Sequence, residues 1–236
     1  MSLSSTDLNR YHARLSVLLL AILYSGALYA QAEDRDSGQW TLRKEKDGIV
    51  IYARPVSGSK YEEFKGVVEL DATQASALAL LEDAGSCTEW LHRCESSVIL
   101  KRVDEQQRYV YQISNLPFPA ATRDSIIHAT VMQQDADTIR VVLESEPEYI
   151  EETKYVRIRV AKGHYLIRKL GENKIRFTWI QHVDPAGTLP AFMVNSLLTD
   201  LPFKSLTNFR RLVATEKYSD AKFIYDENGA RVGLIY

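Results

Sequence analysis

The side chains of this 236-residue chain with the most evident chemistry are its histidines, its cysteines and a run of acids. His12, His92, His128, His164 and His182 stand singly and far apart. A lone histidine in a strand is most simply a hydrogen-bonded or solvent-facing residue. His182, two residues before Asp184, and His128 are the ones that could serve as a base if a cavity enclosed them. Cys87 and Cys94 have no His-x-x-His or acidic cluster beside them, so they make a poor metal site. On an unbroken helix their Cα atoms would lie about 10.5 Å apart. A disulfide needs roughly 4.4–6.8 Å. The pair is therefore a bridge only if the helix ends between them, and otherwise two free thiols. Glu144, Glu146, Glu148, Glu151 and Glu152 surround Pro147. Two carboxylates flanking a sugar would suit a glycosidase, but a charge run in a connection reads first as a solvated loop. Gly-x-Ser-x-Gly, His-Glu-x-x-His, Gly-x-Gly-x-x-Gly and the phosphate loop are all missing from the sequence. No cofactor is expected.

A second group of residues points to binding. In "NLPFPAATRDSI", Pro117 and Pro119 fix the chain and Arg123-Asp124 begins a strand. Side chains alternate along a strand, so one of these two charges faces inward or sits at a rim. A buried charge needs a partner. Arg123 is thus either half of a structural ion pair or a polar anchor inside a cavity. Further on, "DPAGTLPAFMVNSLLTDLPFKSL" opens with Pro185, Gly187 and Pro190 and continues as an apolar helix. At about 100° per residue, Val194, Leu197, Leu198, Leu201, Leu206, Phe209, Leu212 and Val213 fall on one arc of roughly 180°. Pro202 and Ser205 share that arc. A proline that removes a helical hydrogen bond and a hydroxyl amid an apolar stripe are both tolerable if the helix spans a cavity.

The elements that must hold these residues follow from periodicity. Hydrophobic residues make up 45% and charged residues 25%, which are globular proportions. The net charge of −2 argues against nonspecific nucleic-acid binding. Arg10 and Arg14 precede the apolar run "LSVLLLAILYSGALYA", and Ala30-Gln31-Ala32 follows. This reads as a secretory signal peptide over residues 1–32, in preference to an uncleaved membrane anchor or a buried first helix. Residues 33–38 are a polar linker. Export would make disulfides available. Period-two patterns then predict a hairpin turning at Lys46-Asp47-Gly48, a third strand over Tyr61–Leu70, and a helix opening at Asp71-Ala72-Thr73. Six strands follow between Ser96 and Val183, with Val156, Ile158 and Val160 on one face of the fifth. A last helix runs from about Leu189 to Tyr218. Residues 219–236 form a short polar tail with no assignable element. Sequential short turns predict one antiparallel sheet with a long helix on one face, an α+β architecture.

These residues resemble the START lipid-binding domains, particularly exported bacterial ones. The likeness rests on the Pro-x-Pro-x-x-x-Arg-Asp run, the Asp-Pro-x-Gly-x-x-Pro approach to the last helix, and "CTEWLHRCESSVIL". It spans residues 39–218. It implies a helix-grip fold: a curved antiparallel sheet wrapped around a long C-terminal helix, enclosing an apolar tunnel. It further implies binding of a lipid or other hydrophobic small molecule without turnover, by a monomer touching membranes transiently. The alternatives are an enzyme on the same scaffold, as in related cyclases and hydrolases, and an interaction module with a closed cavity. A binding site calls for a cavity of about 300 Å³ or more. The helix plot and strand parity nominate Val194, Leu198, Leu201 and Ser205 from the helix, and Tyr111, Phe177 and Trp179 from the strands. Trp90 stands nearby and Arg123 is the polar anchor. Phe192 and Phe203 lie off the apolar arc and pack on neighbouring loops or touch a membrane. Location outside the cytoplasm, in a periplasm, is expected from the N-terminal segment.

Overall fold

The computed structural model describes residues 39–118, 120–229 and 231–236. The segment read as a signal peptide and linker lies outside them. Strands β1 (Thr41–Lys46) and β2 (Ile49–Arg54) form the first hairpin. Its turn residues, Asp47 and Gly48, both have positive φ (53° and 70°), the conformation of the tight turn that matches strand twist. Strand β3 (Glu63–Leu70) pairs with β2.

Helix α1 (Gln74–Glu82) starts at Thr73, whose Oγ1 accepts from the Ser76 amide at 3.0 Å. It is buried almost all round, which suits its run of Ala and Leu. A 3-10 turn (Ala84–Ser86) and the one-turn helix α2 (Cys87–Trp90) follow. Strands β4 (Cys94–Arg102), β5 (Gln107–Ser114), β6 (Arg123–Asp135) and β7 (Thr138–Ser145) come next. After them stand β8 (Val156–Arg157), β9 (Val160–Gly171) and β10 (Lys174–Asp184). The sheet order is β1-β2-β3-β10-β9-β7-β6-β5-β4, antiparallel throughout, while β8 pairs parallel with β6.

Register places one row of side chains on a single face: Gly66 opposite Trp179, Trp179 opposite Tyr165, Tyr165 opposite Val141, Val141 opposite Val131. Helix α3 (Ala191–Val213) packs on that face, as Leu206, Phe209, Leu212 and Val213 join its core cluster. Gly66 permits the close approach. A Cβ there would stand 2.7 Å from Leu206 Cδ1. The fold is therefore α+β, a curved antiparallel sheet gripping a C-terminal helix.

Three details differ from the periodic reading. The strand expected to contain Val156, Ile158 and Val160 breaks in two, and Arg157 rather than Val156 is buried. Arg157 is buried because Asp124 receives it. The last helix ends at Val213, and a separate turn, α4 (Glu216–Ser219), carries Tyr218. The tail is ordered as a hairpin of β11 (Lys222–Tyr225) and β12 (Arg231–Ile235). Its Phe223 and Leu234 pack against the core cluster, so the pattern was too short to read but not featureless.

Candidate functional site

A cavity lies between the first half of α3 and the sheet. Val194, Leu197, Leu198, Leu201 and Pro202 roof it, and Val110, Ile127, Ala129, Val141, Tyr165 and Trp179 floor it. Leu81, Cys87, Trp90 and Leu91 close one side. Its volume is about 230 Å³, under the roughly 300 Å³ at which ordinary small-molecule sites begin. Arg108 and Arg123 both line it. Arg108 sits opposite Ala129, and Arg123 opposite Ser114. Six residues of antiparallel strand separate those positions, about 20 Å. A space that long with so small a volume is a narrow slot.

Arg123, only 3% exposed, stands where the β5–β6 loop meets the approach to α3. Its Nε donates to the Pro185 carbonyl at 3.2 Å and its Nη1 donates to the Ala121 carbonyl. It thus ties together the two proline-rich loops, and burial lowers its pKa. At the other end, Glu82 closes α1. Its carboxylate accepts from Arg108 Nη1 at 3.4 Å and from Arg102 Nη1 at 3.2 Å. Glu82 and Arg108 are both buried. The slot therefore has apolar walls and a buried guanidinium near each end.

Six of the nominated residues line the slot: Trp90, Arg123, Trp179, Val194, Leu198 and Leu201. Trp90 and Trp179 meet edge to face, ring centres 6.2 Å apart. Three do not line it. Phe177 is stacked on Phe209, centres 4.6 Å apart, in the packed part of the helix–sheet interface beyond the slot. Ser205 donates to the Leu201 carbonyl at 2.7 Å and accepts from the His92 amide at 2.9 Å. It is a clasp holding the segment after α2. Tyr111 lies on the opposite face, where its hydroxyl donates to Asp124 Oδ2 at 3.1 Å. The slot face of β5 carries Arg108, Val110, Gln112 and Ser114 instead.

Cys87 and Cys94 form a disulfide with Cα atoms 5.9 Å apart. The chain leaves the helical conformation at Leu91, which brings the two within reach. The bridge encloses Trp90, Leu91, His92 and Arg93, all slot-lining residues. His128 stacks on Tyr109, and His182 places Nδ1 3.4 Å from the Glu62 carbonyl oxygen; neither lines the slot. Asp124, the other half of the Arg-Asp pair, is engaged by Arg157 through two hydrogen bonds of 2.9 and 3.0 Å. Phe203 packs beside Lys44, whose ammonium lies 4.0 Å from the ring centre, whereas Phe192 is 75% exposed.

A sheet wrapped on a long helix with an apolar slot between them is the architecture of a lipid-cavity domain. The sequence matches the START domain family over residues 25–217, and the chain belongs to that family. Its members are known for binding and transferring lipids or other hydrophobic ligands. An uncharacterized protein of Pseudomonas aeruginosa is 31% identical over 84% of this chain and 95% of its own length. The phosphatidylcholine transfer protein of Mus musculus is 26% identical over 66% of this chain and 75% of its own. Among solved structures, the STAR-related lipid transfer protein fragment from Xanthomonas axonopodis superposes with a TM-score of 0.70 and 30% identity. It covers 75% of this chain and all of that fragment.

Proposed function

We propose that this chain holds a lipid or other hydrophobic small molecule in the slot beneath α3, and does so outside the cytoplasm as a carrier or sensor. The observation that carries the reading is the apolar slot itself, roofed by Val194, Leu198 and Leu201 and lined by two buried arginines, Arg108 and Arg123. Burying a ligand there would contribute about 25 cal/mol per Å² of apolar surface, and the guanidiniums would orient its polar end. Family membership and the names of the relatives support the same reading. The location rests on the N-terminal sequence pattern, and the Cys87–Cys94 bridge suits an oxidising compartment.

The size of the slot favours a ligand with one slender chain, or a roof that lifts. Pro202 leaves the Leu198 carbonyl without its helical N–H partner, which makes that stretch of α3 the natural place to yield. The same 230 Å³ also supports a second reading, an interaction module whose cavity stays shut.

Tryptophan fluorescence separates them. Trp90 and Trp179 face the slot, so a brominated acyl chain entering it should quench their emission. Leu198→Trp, which fills the slot, should abolish saturable binding while the thermal transition is kept. Absence of saturable quenching in the parent protein would favour the closed module.

A further inference from the structure

The slot wall between Cys87 and Cys94 is thin. Leu91, His92 and Arg93 all line the slot, yet Leu91 and His92 are partly exposed and Arg93 is exposed. A single thickness of chain therefore separates the slot from solvent there. The chain leaves the helical conformation at Leu91 and enters β4 only at Cys94. Besides the bridge, three hydrogen bonds hold this strip. Ser205 Oγ accepts from the His92 amide, the Arg93 carbonyl accepts from the Asn115 amide at 2.9 Å, and the Leu91 carbonyl accepts from the Cys94 amide at 3.0 Å. Arg93 has a φ of 77°, a left-handed conformation that is costly for a residue with a Cβ. Trp90, just before the strip, is fixed. It is buried against Trp179 and Phe209, with ring centres 6.2 and 5.3 Å away. A strained strip is thus closed onto a fixed tryptophan by a covalent bond between positions seven apart. Such a cross-link removes conformations that the closed loop would otherwise visit. Its two sulfurs differ in access: Cys87 is buried, whereas Cys94 is partly exposed on β4, the outermost strand of the sheet.

We propose that the Cys87–Cys94 bridge is a redox latch on the slot. Intact, it holds the Leu91–Arg93 wall closed over a bound molecule; reduced, it frees the wall and lets that molecule leave. The proposal rests on the lipid-binding reading above and adds its control. The reductant is a dithiol, small or carried by a partner protein. One of its thiolates attacks Cys94 Sγ, and Cys87 Sγ leaves and takes up a proton. The second thiol of the reductant then displaces the Cys94 sulfur, which is protonated in turn, while the reductant closes its own disulfide. Two electrons pass to the protein, and both cysteines end as thiols. Relief of the Arg93 backbone then favours movement of the wall, with Trp90 as the fixed end of the hinge.

The test uses the full chain, oxidised or reduced with dithiothreitol, and has two readouts. In the first, dibromostearic acid is bound and then chased with excess stearic acid, so that recovery of tryptophan emission reads its release. Opening so short a loop restores well over tenfold in conformational freedom, so release should quicken by at least about tenfold on reduction. The Cys87→Ala/Cys94→Ala double variant should release at the fast rate with or without dithiothreitol. Arg93→Gly, which relieves the backbone at that position, should narrow the difference between the two states. In the second readout, amide hydrogen exchange should rise on reduction at Leu91–Cys94, the His92 amide included, and stay unchanged in the rest of the sheet. Equal release rates in the oxidised and reduced protein would overturn the latch and leave the lipid-binding reading intact. Exchange that rises throughout the fold, or a lost thermal transition, would overturn it by making the bridge a general staple. Quenching in neither state would remove the lipid-binding reading, and the exchange pattern would then decide by itself whether the bridge holds the wall.

Discussion

Asp124 is fully buried, yet it is held ionised. Burial alone would raise its pKa. The hydrogen bonds from Arg157 and Thr153 outweigh that and hold the carboxyl below its usual range. Arg157 also donates to the carbonyls of Pro147, Ile150 and Glu151, so this one side chain anchors the loop between β7 and β8 to the sheet. Arg157→Met should therefore cost about 3–5 kcal/mol, because it strands a buried carboxylate. Urea unfolding measures it, and a loss under about 1 kcal/mol would mean the pair is dispensable. The Arg-Asp dipeptide was legible as two charges on opposite faces. Arg123, nominated for the cavity, lines the slot; the partner of Asp124 was not legible, because Arg157 stands 33 positions away. Tyr111 misled for a related reason. Tyr109, Tyr111 and Ile113 form the more apolar side of β5, and apolarity normally marks the inward face. Here the outer face is covered, with Tyr149 stacked on Tyr109 at 3.9 Å, while the inner face borders a slot and carries Arg108 and Gln112.

Among the elements, α3 decides the architecture. Its apolar arc was readable at helical spacing because packing against a sheet selects that arc. What the arc could not distinguish was its two halves. Val194, Leu198 and Leu201 roof a slot, whereas Leu206 and Phe209 fill a packed interface. The division falls where Gly66 lets the helix down onto β3, a contact between residues 140 positions apart. Gly66→Ala should push Leu206 outward and cost about 1–3 kcal/mol, the usual range for overpacking. Thermal unfolding would report it, and an unchanged melting temperature would show that the helix already stands clear of β3. The segment from α1 to β4 was read correctly as helix giving way to strand. The clasp from Ser205 to the His92 amide, by contrast, became visible only once α3 and α2 were placed side by side.

At the scale of the whole molecule, the order of elements along the chain was legible from alternating strands, and the helix-grip form from the family likeness; that β3 pairs with β10 was not. The C-terminal hairpin was not, since two strands of four and five residues carry little periodicity. Global stability should depend on pH through His164. Burial, aided by Arg140, lowers its pKa from 6.5 to about 4. A histidine whose folded pKa is depressed stabilises the fold fully above its unfolded pKa, and that contribution fades as pH falls from 6.5 toward 4. The melting temperature should decline across that window, and His164→Gln should flatten the decline. An identical profile in the variant would assign the acid sensitivity elsewhere. The proposed function requires that the slot be occupied. Native mass spectrometry of protein expressed in cells and purified without detergent tests it most directly. A bound species is expected, released on denaturation, whose mass is that of one lipid-like molecule per chain. A protein mass alone, unchanged after incubation with lipid extract, would contradict it.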